Sequence, residues 1–238
     1  MTHPLSWKVK VGLAVVSSST VNEGRLPRVV PPDIGFFTSR MLMVRHGVEA
    51  LKAMEANARR AFEELATIPV DAIAYCCTVS GALRGLTADR EFCESMSAEF
   101  AIPVTSTMLA VTEALCALRL RRVVVTSPYV EGHHEPERAY FRQAGIEPIA
   151  MHGMGISDGR AFANVTPEEI MRYSLEKWDP QADGLFISCM NFDALPVVDE
   201  LERRIGKPVV TSHSATLWRV LGLAGFPVRI PALGRLMS

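Results

Sequence analysis

Residues 71–81, DAIAYCCTVSG, and residues 183–190, DGLFISCM, decide how this chain of 238 residues is read. Each opens on an aspartate, runs through apolar residues without polar alternation, and ends on a cysteine six positions after the aspartate. Such a run, closed by small hydroxyl residues or glycine, reads as a strand covered on both faces. Asp71 and Asp183 lie 112 positions apart, and so do Cys77 and Cys189. A cysteine thus stands at the end of a buried strand twice, at matching places.

Outward from these two strands the matching continues. VVSSS (15–19) parallels VVTSP (124–128), and IPVTSTM (102–108) parallels KPVVTSHS (207–214). Four features in the same order imply an internal duplication of about 110 residues. The strand candidates are KVGLAVV, FTSRMLMV, DAIAYCC, IPVTST, RRVVVTS, EPIAMHG, DGLFISC and KPVVTS. Helical patterns alternate with them: GVEALKAMEANARRAFEELA, ADREFCESMSAEFA, MLAVTEALCALRL, PERAYFRQAG, TPEEIMRYSLEKW, LPVVDELERRIG and ATLWRVLGLAG. In TPEEI, Thr166 can cap, Pro167 suits the first helical position and Glu169 completes a capping box.

Apolar strands alternating with helices indicate an α/β fold with parallel sheet. The expected architecture is two similar doubly wound, Rossmann-like halves related by a pseudo-two-fold axis, with the active site in the cleft between them. The halves are expected to comprise residues 1–108 with 215–238, and residues 109–214. Ligands in such sheets bind beyond the carboxyl ends of the strands. SSST, CCTVSG, TSPY, SCMN and TSHS all fall there. Facing halves would bring Cys77 and Cys189 to opposite walls of one cleft.

Composition narrows the function classes. A net charge of −1 gives no basic footprint for nucleic acid or an anionic membrane. The apolar run at the start is too short to span a bilayer and no signal peptide is visible, so the expected location is cytoplasmic. Five cysteines at irregular spacing are expected to be thiols, without a disulfide framework. No paired C-x-x-C appears, and the adjacent histidines of EGHHEPE (His133, His134) read as solvated surface rather than metal ligands. No glycine-rich dinucleotide fingerprint is present, so neither cofactor nor metal is expected.

Cysteine is ordinarily a core residue, and Cys93 and Cys116, inside helical patterns, read that way. Cys76 and Cys77 must face opposite sides of their strand, and the duplication selects Cys77 for the cleft. Two thiols flanking a substrate can remove a proton on one face and deliver one on the other. Alternatively, one attacks as a nucleophile while the other moves a proton. Because both precede a helix or turn, a helix N-terminus is expected to favour the thiolate. Nearby hydroxyls and amides suit a carboxylate or the enediolate derived from it.

The chain resembles the aspartate/glutamate racemase superfamily, in its branch of maleate cis–trans isomerase and arylmalonate decarboxylase. The resemblance rests on VSSST, AYCCTVSGALRG, VTSPY, HGMGISDGRA, FISCMNFDALPVVDELERRIGKPVVTS and ATLWRVLGLAG, nearly the whole chain. It implies that Cys189 is the acid/base thiol of both enzymes. It also implies that Cys77 is the thiol of the isomerases and racemases, where the decarboxylase has glycine. The carboxylate-binding features fall on Thr78, the Val79 amide, Tyr129 and the Met190 amide, with Ser18 and Ser19 as further substrate contacts. Ser19 stands where the isomerases show asparagine, and Asp158-Gly159 where they show Asp-Asn. These departures make a monoacid or substituted diacid a substrate to weigh beside maleate.

The function implied is a cofactor-independent isomerase acting on a small carboxylic or dicarboxylic acid. A decarboxylase or racemase working through an enediolate is the alternative, and a non-catalytic carboxylate sensor is a third. The expected partner is the small carboxylate, with no nucleic acid and no membrane; self-association as a homo-oligomer stays open.

Overall fold

The structure is a computed structural model that describes residues 7–43 and 48–238. Among the described residues, eight strands form two four-stranded parallel sheets. The first contains β1 (Val9–Val16), β2 (Ile34–Met41), β3 (Ala72–Cys76) and β4 (Val104–Ser106), in the order β2-β1-β3-β4. The second contains β5 (Arg122–Ser127), β6 (Glu147–Gly153), β7 (Gly184–Ile187) and β8 (Val209–Thr211), in the order β6-β5-β7-β8. The two orders are the same, and each matched sequence feature occupies the same place in its own sheet.

The paired aspartates show what the repeat preserves. Asp71 accepts from the Lys10 amide at 2.7 Å, and its own amide donates to the Lys10 carbonyl at 2.8 Å. Asp183 accepts from the Arg122 amide at 2.8 Å and donates its own amide to the Arg122 carbonyl at 2.7 Å. Lys10 and Arg122 are again 112 positions apart. Each aspartate therefore fixes the start of the central strand of its sheet, and with it the register that places the strand ends.

Alternation along the buried strands sorts their side chains onto two faces. Ala72, Ala74 and Cys76 join one apolar cluster, with Val11, Leu13 and Val15 of β1. Ile73, Tyr75 and Cys77 join another, which also takes in Leu185, Ile187 and Cys189 from the second half. The reverse face of the second sheet (Val123, Val125, Phe186, Val210) forms a third cluster. Between the sheets run α6 (Thr107–Ala117) and α10 (Ser212–Leu223), packed on one another, with α10 also against β3 and β4.

The helices are α1 (Val21–Val29), α2 (Val48–Glu55), α3 (Ala58–Ala66), α4 (Thr78–Arg84), α5 (Leu86–Phe100), α6, α7 (His134–Gln143), α8 (Pro167–Glu176), α9 (Val198–Ile205) and α10. Thr166, Pro167 and Glu169 form the expected capping box of α8. Three readings need correction. The single long helix expected over residues 47–66 is two, broken around Asn57. The helices α1 and α4 were not expected, because Gly24, Pro27 and Gly81 disguise them as loops. The second strand begins at Ile34 and ends at Met41, three residues earlier at each end than FTSRMLMV. Val44 at the end of that stretch, and Gly47 at the start of the expected helix, lie outside the described residues.

Candidate active site

A cavity of about 90 Å³ opens at the carboxyl ends of the strands of both sheets. Its walls include Cys77 and Cys189, one from each half, together with Ser18, Ser19, Thr78, Val79, Tyr129 and Met190. All eight residues singled out in the sequence therefore line one space. Its size suits a molecule of a few heavy atoms and is far below that of a nucleotide pocket. Among the described residues, none of its lining side chains is a lysine, arginine, aspartate or glutamate. An anion held here would rely on hydroxyls and amides, the donors that suit an enediolate or carboxylate in a dry site.

Cys77 directly follows β3 in extended conformation and caps α4. Burial pushes its thiol up to about 11, while the Ser80 amide, the Arg84 guanidinium and the Val79 amide pull the other way. Cys189 follows β7 and is not succeeded by a helix. Burial pushes it up to about 12, against hydrogen bonds from Tyr129 and the Asn191 amide, the latter 3.3 Å from the sulfur. The expectation of helix-favoured thiolates is thus corrected: desolvation outweighs every nearby donor at both positions, and a helix N-terminus serves only Cys77.

Cys189 holds a φ of 114°, a backbone conformation that an L-residue occupies only when its surroundings enforce it. The enforcing contacts are its amide to Ser212 Oγ at 3.0 Å and the Ser188 amide to the Thr126 carbonyl at 2.8 Å. Ser212, the first residue of α10, also meets Thr78 Oγ1 at 3.1 Å. One hydroxyl therefore joins a candidate carboxylate contact from the first half to the second thiol's backbone.

Tyr129 is fully enclosed, and its ring meets Phe162 edge-on and His133 at a tilt. Gly153 makes this possible: a β-carbon there would stand 2.1 Å from the Tyr129 carbonyl, which also accepts from Gly155 at 3.0 Å. Met190 O accepts from Ser19 Oγ at 3.5 Å. Cys76 is wholly buried on the other face, its sulfur 3.5 Å from the Ala74 carbonyl, yet it also touches the cavity wall.

Several wall residues escaped the sequence reading. Asn191 accepts from the Thr20 amide at 3.0 Å and donates to the Gly159 carbonyl at 3.0 Å, bridging the two places where the chain departs from the isomerases. Its position one residue after Met190 was the available signal. Val16, Met43, Leu51 and Phe162 supply an apolar wall with no motif to announce it. The histidine loop needs correction too: His133 is half-buried and lines the cavity, and His134 is buried with Nε2 at 2.9 Å from Ser127 Oγ. Among the described residues, no three His, Cys, Asp or Glu side chains gather as a metal set.

One buried thiol from each of two repeated α/β halves, meeting over a small uncharged cavity, is an arrangement suited to two-thiol chemistry on a small molecule. The chain belongs to the arylmalonate decarboxylase family, whose model matches residues 25–237. Among curated relatives, the arylmalonate decarboxylase of Bordetella bronchiseptica is 27% identical over 214 residues, 87% of this chain and 88% of that one. A mutant of the maleate isomerase of Pseudomonas putida S16, solved with maleate, superposes with a TM-score of 0.91 at 28% identity, covering 97% of each chain. A Nocardia farcinica maleate cis–trans isomerase mutant carrying a covalently bound succinylcysteine intermediate gives 0.90 at 26%, covering 96% of this chain and 98% of that one.

Proposed function

We propose that this protein is a cofactor-independent isomerase of the maleate cis–trans type, acting on a small carboxylic or dicarboxylic acid. The observation that carries the reading is the pair Cys77 and Cys189, one from each half, in a single small cavity. The Cys77 thiolate adds to one carbon of a cis double bond, and Cys189 gives its proton to the neighbouring carbon. The new single bond rotates. Cys189 then takes back a proton as the C–S bond breaks, releasing the trans acid and restoring the Cys77 thiolate and the Cys189 thiol. The succinylcysteine adduct in the Nocardia farcinica relative is the intermediate this sequence would form from maleate. Thr78, Tyr129, Ser18, Ser19 and the amides of Val79 and Met190 are assigned to the substrate.

Cys77 is what separates this reading from decarboxylation through an enediolate that Cys189 protonates; racemisation through an enediolate would use both thiols, and the assay below separates it. For the substrate, a substituted diacid or a monoacid has a specific observation in its favour. The Asn191 carboxamide oxygen accepts from Thr20 and Ser19, its nitrogen donates to Gly159, and the wall beyond is apolar. The division into 1–108 with 215–238 and 109–214 is part of the proposal, supported by α10 packing on β3 and β4. A cytoplasmic location is proposed with it. Among the described residues no helix is long and apolar enough to cross a membrane.

Proton NMR of the purified protein with cis-enedioic acids, malonates and amino acids tests the function. Loss of the cis vinyl signal with growth of the trans signal is expected. Release of carbon dioxide from a malonate, with the enedioic acids untouched, would replace the proposal by decarboxylation.

A further inference from the structure

The cavity wall carries one more group that the proposed reaction leaves without a role. His133 ends the short 3-10 turn Glu131–His133 and lines the cavity beside Tyr129. The two rings lie 5.5 Å apart at a tilt of 40°. The His133 amide fixes the turn by donating to the Val130 carbonyl at 3.1 Å. The imidazole is half-buried, and its Nδ1 is enclosed without a hydrogen-bond partner. An enclosed polar nitrogen costs free energy until something pairs with it.

The rest of the wall singles this residue out. Among the described lining residues, the side chains that can ionise are Cys76, Cys77, Cys189, Tyr129 and His133. The first four can become only negative, and the imidazole alone can become positive. The ligand of the proposed function is an anion. A carboxylate taken out of water into a small cavity needs a counter-charge or a full set of donors.

We propose that His133 is a further substrate-binding residue: the acid binds together with one proton from solvent, which settles on the imidazole and leaves an imidazolium facing the bound carboxylate beside Tyr129. The inference rests on the proposed function, in taking the ligand to be a small carboxylic acid. It deepens that reading by requiring the ionised acid, for which a neutral amide is no substitute. Burial holds the free imidazole below its ordinary 6.5, so it enters the encounter largely neutral at pH 7.5. A carboxylate brought against it raises it again. A proton taken up on binding makes affinity fall as pH rises, between the free and the bound pKa. The fall is at most about tenfold per pH unit.

The charges nearby are matched among themselves. Glu131, on the same turn, lies 3.5 Å from His134 Nδ1. On α7, which packs on the turn, Glu135 pairs with Arg138 and Glu137 accepts from Ser188. Asp158 pairs with Arg160, and Lys177 with Glu176. Burial lowers His152 on β6, and it raises Tyr129, Cys77 and Cys189 away from neutral pH.

The test reads binding, so it does not depend on turnover. Succinate, a saturated and unreactive diacid, is titrated by calorimetry between pH 6.5 and 8.5 in two buffers of different ionisation heat. The wild type is expected to lose affinity by about threefold or more per pH unit at the lower end. That slope corresponds to about half a proton or more taken up per succinate. Succinamide, the neutral control, is expected to bind more weakly and to take up no proton. His133→Gln, and His133→Phe with its ring kept against Tyr129, are expected to lose the slope. Both should bind succinate roughly tenfold more weakly at pH 6.5, the loss of one charge-assisted bond. Thermal melts establish that the variants are folded. A wild-type affinity that is flat with pH, or no succinate binding at all, overturns the proposal. A slope retained in both variants overturns it too, and would move the proton to Glu137. Failure of the isomerase reading appears separately, as absent cis–trans turnover while succinate still binds with its proton.

Discussion

Two buried groups give the protein opposing responses to acid, and separating them is a quantitative test of the structure. His213 is fully buried in the first turn of α10, with both ring nitrogens lacking a side-chain partner. Burial pushes its pKa down to about 4 from 6.5, against the Asp193 carboxylate and a backbone bond at Met190. The unfolded chain therefore binds a proton at this residue that the folded chain refuses. Its contribution to stability is present above pH 6.5 and is lost as pH falls toward 4. Glu137 does the reverse. With its pKa raised from 4.5 to about 7, its contribution is present below pH 4.5 and is lost as pH rises through 7. Each shift is worth about 3 kcal/mol, at about 1.4 kcal/mol per pH unit inside its window. Between roughly pH 4.5 and 6.5 the two slopes oppose each other and nearly cancel. Urea unfolding, followed by tryptophan fluorescence at half-unit steps from pH 4.5 to 7.5, resolves them. His213→Leu is expected to lose less stability than the wild type as pH falls across that range. Glu137→Gln is expected to lose it, and more steeply than His213 alone would dictate, since burial also holds His133 and His134 below their usual pKa. If both variants keep the wild-type slope, neither group is held in its buried, mismatched protonation state and the reasoning fails.

The remaining predictions concern the site. Serine in place of Cys77 or of Cys189 is expected to nearly abolish turnover, with the double variant little worse than either single one. Cys76→Ser should keep most activity, and the reverse pattern in assays run beside thermal melts would show that the wrong thiol was assigned. Tyr129→Phe removes one donor to a substrate anion worth about 1.5–3 kcal/mol, so kcat/KM is expected to fall roughly ten- to hundredfold; no change would make Tyr129 a packing residue. Ser212→Ala leaves the buried Cys189 amide unpaired at about 1–3 kcal/mol and should lower both Tm and kcat/KM. Ser214→Ala, which loses the bond to the Thr211 amide at 2.9 Å, should lower Tm alone, and equal activity losses in the two would refute the bridging role of Ser212.

The repeated strands were legible because their chemistry is local. An apolar run with an aspartate before it and a cysteine after it carries its own register, and Asp71 and Asp183 perform in the structure the same bond to the preceding central strand. The carboxyl-end rule then collected Ser18, Thr78, Tyr129 and Cys189 into one place without any measurement of distance. What stayed hidden has no local signature. The apolar wall of Val16, Met43, Leu51 and Phe162 comes from four separate segments. Helix α4 was hidden because Gly81 lowers its helical propensity, yet the position is tightly packed: a β-carbon there would lie 3.1 Å from Met108 and 3.2 Å from Asp89, and both would have to give. The histidine loop misled for a related reason, since polarity in sequence predicts exposure only until tertiary packing covers it.

A duplicated fold presents a chemical difficulty that the local structure around the two thiols resolves. Two equivalent thiols would have equal acidity, and neither would be selected as base or as acid. The matched strands and aspartates keep the sulfurs facing one cavity, so the asymmetry must come from the segment beyond each strand. After β3 the chain turns directly into α4, bringing the Ser80 and Val79 amides and the Arg84 guanidinium to bear on Cys77. After β7 it enters an irregular turn at φ 114°, where Cys189 meets a neutral tyrosine and the field of Glu137. Burial raises both thiols, and their surroundings differ: two amides and the Arg84 guanidinium lower Cys77 while Glu55 raises it, and the Tyr129 hydroxyl and the Asn191 amide lower Cys189 while Cys77 and Glu137 raise it. Groups whose environments drive their acidities apart are the expected acid and base of a site. The repeat therefore places two thiols on one cavity, and the divergence of the segments beyond Cys77 and Cys189 supplies the different surroundings on which their proposed roles rest.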